Sequence, residues 1–308
     1  MSSTPSPIIE TPIETTGHDS RIQLVLRRFL RRRLAIAGFI VVLLLFGFAY
    51  VGPHFYKWGY DQIDFDAFLQ HPSAAHWFGT TQNGFDMLAL TMRGMQKSLI
   101  IGLIGAVLST GIAAIAGATA GYFSGWTDRC IVALIDLILV LPGFLIIAIL
   151  SPVFHGKTWL IFVILLAAFQ WMITARVIRS MTLSMKEREF VYAARFMGVP
   201  DWKIILSHIL PNMSSFLIID ATINVSSLIL AEVGLSFFGF GVQPPDISLG
   251  TLIGDHWESA QTANGYQFYF PAILLVILVL SVNLVGDGLR DALDPNAGTA
   301  TGKGAPSK

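Results

Sequence analysis

Leu99-Ile-Ile-Gly-Leu-Ile-Gly-Ala-Val-Leu-Ser-Thr-Gly-Ile-Ala-Ala-Ile-Ala-Gly-Ala-Thr-Ala-Gly-Tyr122 runs for 24 residues without a single Lys, Arg, Asp or Glu. As a helix rising about 1.5 Å per residue, such a run exceeds the roughly 30 Å hydrocarbon core of a bilayer. Five further apolar runs follow the same reading: Leu34–Val51, Cys130–Ser151, Trp159–Ile178, Met213–Leu235 and Phe268–Val285. They are continuous rather than alternating, which favours helices over a β-barrel. The expected fold is an all-α membrane protein with six transmembrane helices.

The rest of the chain agrees. Of 308 residues, 54% are apolar and 13% charged, about half the charge of a usual soluble domain. Nothing in the chain is polar enough to wrap six apolar runs as a buried core. Twenty Lys and Arg balance twenty Asp and Glu, which argues against a nucleic-acid partner. A single cysteine, Cys130, excludes an internal disulfide and a cysteine-cluster metal site. The first run lacks a small-residue cleavage site and reads as a retained anchor.

Basic residues set the orientation. With the N-terminus inside, the inner segments hold 16 Lys and Arg, and the outer segments hold 4 (Lys57, Arg93, Lys97, Lys157). Both termini are therefore expected in the cytoplasm. The division is a basic N-terminal tail over 1–33, a permease domain over 34–290 and a C-terminal tail over 291–308. Residues 1–20 and 295–308 lack apolar period and read as disordered. The Arg27–Arg33 cluster is first a topology signal, with anionic headgroups as a second use.

Catalytic patterns are absent: no His-Glu-x-x-His helix and no Gly-x-Ser-x-Gly elbow. Gly298-Thr-Ala-Thr-Gly-Lys303 is one residue short of a phosphate loop and lacks its Ser or Thr. No catalytic, cofactor-binding or metal-binding residue is expected, and the chain is not read as an enzyme.

The loop after the fourth run is the most informative segment. Over residues 186–211 it reads as two short helices with a break. Glu187–Met197 favours a helix, Gly198 suits its left-handed end, and Pro200 cannot continue it. Asp201 is the expected N-cap of a second helix, which Pro211 is expected to end.

Ala193-Ala194, Gly198 and His208-Ile-Leu-Pro211 resemble the EAA loop of ABC-importer permeases. Tyr192 stands where Glu is usual, and His208 where Ile is usual. Three more segments resemble the DppC/OppC (dipeptide and oligopeptide) type in the same order: His76–Asp86, Leu235–Pro245 and Asn283–Pro295. The resemblance implies a type I ABC-importer permease fold in a bacterial plasma membrane. It implies a B-type permease as heterodimeric partner, two cytosolic ABC ATPase subunits or domains, an extracytoplasmic substrate-binding protein, and surrounding lipid. ATP and Mg would be bound by the ATPases, with no cofactor in this chain. The resemblance assigns the ATPase-coupling contact to Val191, Tyr192, Ala193, Ala194, Arg195, Gly198, Asp201, Trp202 and Lys203.

Polar residues within spans are the pathway candidates, because a carboxylate facing lipid is costly. They are Asp136, Asp220, Asn224, Glu232 and Asn283. Each could instead make an interhelical hydrogen bond. Asp220 and Asn224, four apart, share a helix face. Ala113, Gly117 and Gly121 form a small-residue packing stripe, and Pro142 is expected to kink the third span. A nickel or other small-solute importer is the nearest rival. A stand-alone channel or secondary transporter would need no such loop. An intramembrane hydrolase is disfavoured, because all seven histidines lie outside the runs.

Overall fold

The computed structural model describes residues 21–154 and 159–293. The tails read as disordered and the Gly298–Lys303 stretch lie outside the described residues, as does Lys157. Among the described residues every regular element is helical. In chain order they are α1 (Arg21–Phe29), α2 (Arg33–Tyr50), α3 (Gly52–Phe55), α4 (Met87–Phe123), α5 (Gly125–Val140), α6 (Gly143–Leu150), α7 (Trp159–Met185), α8 (Glu189–Phe196), α9 (Asp201–Ile204), α10 (Leu210–Asn212), α11 (Ser214–Phe237), α12 (Leu249–Asp255) and α13 (Tyr266–Leu293).

Five of these (α2, α4, α7, α11 and α13) are long and apolar enough to cross a membrane. The third expected span is instead the pair α5 and α6, bent by 78° at its break. Six spans result if that pair counts as one. Pro142 does more than kink it. The residue before a proline is driven out of helical geometry, and Leu141 is extended, with ψ 134°.

Helix α4 starts twelve residues before the apolar run that announced it. The carboxylate of Asp86 accepts the Ala89 N–H at 2.8 Å and caps the first turn. Arg93, Gln96 and Lys97 then fall within the helix. The small-residue stripe does what close packing requires. A Cβ on Gly117 would stand 2.5 Å from the Ala175 carbonyl oxygen, and one on Gly121 would stand 2.7 Å from that of Arg179. Helix α4 therefore lies directly against α7, its most extensive neighbour. Around this pair, one apolar core gathers Ala113, Tyr122, Ile178, Val191, Ala194 and Ile205 at the α8–α9 end. A second gathers Leu45, Met95, Ile229, Leu249 and Leu278 toward the other end.

At that other end, residues 56–86 and 238–266 form a lobe. His76 is its buried pivot: Nδ1 lies 2.8 Å from Asp86 and Nε2 lies 3.3 Å from Asp64. The Tyr56 hydroxyl donates to Asp86 at 2.9 Å, and Trp58 stacks on the imidazole. The two halves join where the Tyr266 hydroxyl and the Gln267 amide both donate to the Thr80 carbonyl, at 2.8 and 2.9 Å.

Two expectations about the loop are corrected. Asp201 is the first helical residue rather than the N-cap, a position held by Pro200. Pro211 does not end the second helix: a π-turn over Ile205–Ile209 leads into α10, which contains it. The wider turn shifts the backbone pairing, so a residue without an N–H fits just beyond it.

Candidate functional site

Helices α8 and α9 form a knob at the end of the bundle opposite the lobe. Gly198 sets its bend with φ +74°, and no atom lies within 4 Å of where its Cβ would be. The Val199 N–H returns to the Ala194 carbonyl at 3.1 Å, which closes α8.

The residues assigned to the coupling contact divide into two sets. Val191 and Ala194 are buried against Ile178, Ile204 and Ile205, and hold the knob on the bundle. Tyr192, Ala193, Arg195, Gly198, Asp201, Trp202 and Lys203 are exposed. Beside them stand Phe196 and Met197, 89% and 75% exposed, which the sequence reading passed over. The apolar helical period was the available signal: with Val191 and Ala194 facing inward, Phe196 and Met197 must face outward.

The end of α4 grips this knob, a feature that no local pattern announced. The buried Tyr122 donates its hydroxyl to Asp201 at 2.6 Å, and the Arg195 guanidinium lies 5.2 Å from its ring centroid. The hydrogen bond to Tyr122 raises the pKa of Arg195 further, so this guanidinium stays charged. Phe123 meets Trp202 edge-on at 5.9 Å.

Among the pathway candidates, Asp220 and Asn224 are brought together. Asp220 accepts hydrogen bonds from Thr110 and Thr174 at 2.8 Å each and from Asn224 at 2.9 Å. This cluster ties α4, α7 and α11. Asp136 stands apart, half-exposed and paired with Arg176, beside a two-pronged pair between Arg179 and Asp128. Asn283 is exposed on α13. Glu232 is 0% exposed and therefore faces no open space in this structure. It accepts the hydroxyls of Ser236 and Ser248 at 2.6 Å and that of Ser98 at 3.3 Å.

Between the two halves of the lobe lies a cavity of about 860 Å³, lined by Asn83, Gln243, Asp246, Asp255, Glu258 and Gln267 among others. Among the described residues, no group of three or more His, Cys, Asp or Glu side chains gathers to hold a metal.

Comparison with known proteins gives this arrangement its family. The family of binding-protein-dependent transport system inner membrane components matches residues 111–298. The N-terminal TM domain of oligopeptide transport permease C matches residues 20–72. The oligopeptide transport system permease protein OppC of Mycobacterium tuberculosis (strain ATCC 25618 / H37Rv) is 55% identical over 281 residues, covering 91% of this chain and 96% of that protein. Its namesake in Haemophilus influenzae is 37% identical over 271 residues, covering 87% and 86%. In fold, the chain is similar to a chain of the MetNI methionine ABC transporter in an inward-facing conformation. The TM-score is 0.55 at 19% identity, over 68% of this chain and 98% of that one. The chain belongs to the family of binding-protein-dependent transport system inner membrane components, as a multi-pass permease of an ABC importer.

Proposed function

We propose that this chain is the permease subunit that carries di- or oligopeptides inward, with both termini and the α8–α9 knob on the cytoplasmic side. The excess of basic residues on that side supports the orientation. Two relatives named for oligopeptide transport, matched over nearly their whole length, support the cargo. A B-type permease completes the pathway, two ATPase subunits or domains bind ATP and Mg below, and a binding protein delivers peptide above. The chain itself contributes no ATPase site.

The carrying observation is the knob. It is fixed to the bundle by Val191 and Ala194, and it presents Tyr192, Phe196, Met197 and Trp202 outward. Apolar side chains of that size on water-exposed helices mark a surface that is covered in the working assembly. A short helical pair seated in an ATPase groove transmits motion as a rigid body. Tyr122, Arg195 and Asp201 pass that motion to α4, and the Asp220 cluster sits where α4, α7 and α11 meet. Alternating access follows as these three helices shift together, with Asp220 and Asn224 at the peptide pathway.

Phe196→Asp in the assembled transporter is the test. Binding-protein-stimulated ATP hydrolysis and uptake of labelled peptide should both fall more than tenfold, with the ATPases dissociating more readily. Full stimulation in this variant would refute the coupling surface. Uptake of nickel or another small solute in place of peptide would select the rival cargo.

A further inference from the structure

Helix α1 is used by neither the pathway nor the knob. It is amphipathic, and its buried side is settled: Val25 and Phe29 pack with Ala35 against Val285, Leu289 and Ala292 of α13. Gly288 lets this contact close, since a Cβ there would stand 2.2 Å from that of Ala35. The helix is therefore pinned to the end of α13, beside the first turn of the α2 span. Arg32 is committed to Asp291 at 3.2 Å.

The outward side carries two features that belong together only at a bilayer surface. Leu26 and Leu30, one helical turn apart, are 55% and 56% exposed, and Leu34 in the first turn of α2 is 71% exposed. Arg27, Arg31 and Arg33 are exposed beside it. Between Arg21 and Tyr60 the sequence contains no Asp or Glu. Exposed leucines flanked by arginines, on a short helix that leads by one turn into a membrane-length span, have the composition of a helix lying in the headgroup layer. Three guanidiniums with no carboxylate partner among the described residues call, at that depth, for phosphate oxygens.

We propose that α1 and the Arg31–Arg33 turn form a binding site for an anionic phospholipid, with Arg27, Arg31 and Arg33 on the headgroup phosphate and Leu26 and Leu30 along the acyl chains. The site anchors α2 and α13 to the inner leaflet as one unit. The choice of leaflet rests on the orientation proposed above; the binding itself does not.

The test uses the purified, assembled transporter in neutral detergent, where sidedness plays no part. A tail-labelled phosphatidylglycerol is titrated and followed by fluorescence anisotropy. Wild type should bind it with an affinity that falls with salt, and unlabelled phosphatidylglycerol should displace it, whereas phosphatidylcholine and inorganic phosphate should not. The triple variant R27Q/R31Q/R33Q should bind roughly a hundredfold more weakly, at about 1 kcal/mol per arginine. These arginines also guide insertion, so a second variant, L26Q/L30Q, keeps every charge and should weaken binding about tenfold. Wild-type affinity in both variants would overturn the proposal. Displacement by inorganic phosphate would also overturn it, by making the site one for free anions. Should the triple variant fail to assemble, wild-type affinity in L26Q/L30Q alone refutes it.

Discussion

The carboxylate of Glu232 and the hydroxyl of Ser248 meet at 2.6 Å inside the bundle, and this contact joins the lobe to the α11 span. Ser248 at the same time accepts the Thr251 N–H at 3.1 Å and so caps α12. Ser98 of α4 completes the knot, donating to Glu232 and accepting the Leu249 N–H at 3.1 Å. Each serine thus takes a backbone proton on one side and gives its own to Glu232 on the other. Removing the acceptor strands three buried donors. Glu232→Ala should cost at least about 3 kcal/mol, and Ser248→Ala about 1–2 kcal/mol. Thermal unfolding of the purified complex checks both; equal melting temperatures in the two variants would break this account.

Gly198 and a bulky substitute there separate strain from contact. Its φ of +74° disfavours any side chain, while the space around it is open. Gly198→Ala and Gly198→Trp should therefore lose similar stability, about 1–2 kcal/mol. Only the tryptophan should also block a docked ATPase, seen as lost substrate-stimulated hydrolysis in the assembled complex. Equal coupling in both variants would place the docking surface elsewhere.

Tyr122→Phe removes one hydroxyl, and with it the hold of α4 on Asp201. The loss is about 1 kcal/mol, which opens the knob locally roughly fivefold more often. Hydrogen exchange across residues 199–205 should quicken by that factor, with exchange in the rest of α4 unchanged.

Two glycines of α4 predict opposite outcomes. Gly117→Ala drives a methyl into the Ala175 carbonyl and should cost about 1–3 kcal/mol. Gly111 has nothing within 4 Å of its would-be Cβ, so Gly111→Ala should leave stability unchanged or raise it by up to about 1 kcal/mol. Melting curves of the two variants decide whether the stripe is a packing surface.

Acid should loosen the lobe. The Asp66 N–H and the His76 ring hold the Asp64 carboxyl below its ordinary value. A carboxyl lowered in the folded state contributes stability above its unfolded pKa, near 4, and loses it as pH falls further. Asp64→Asn should flatten the lobe's pH dependence below about pH 4, read by tryptophan fluorescence at Trp58. An unchanged acid transition would remove Asp64 from the account.

Much of this was legible in the chain. Apolar runs of twenty residues have one physical solution in lipid, so α2, α7, α11 and α13 fell where hydropathy put them. Gly198 declared itself because few residues tolerate a left-handed backbone. What stayed hidden depends on partners distant in sequence. Glu232 read as a pathway residue because its hydroxyls come from residues 98, 236 and 248. Asp201 read as a cap because local rules cannot see Tyr122, 79 residues away. The π-turn before Pro211 was equally invisible: a proline rule states where a donor is missing, not how the backbone goes round it.

The bend between α5 and α6 has a consequence for what surrounds it. A chain that turns through 78° at Pro142 leaves carbonyls at the corner without the partners a straight helix would supply, and hydrocarbon cannot supply them either. Val140 and Leu141 are both exposed at that corner in the isolated subunit, and a corner of this kind is better served by protein or water than by acyl chains. In the assembly proposed above, that side would meet a neighbouring subunit, or water held between the two.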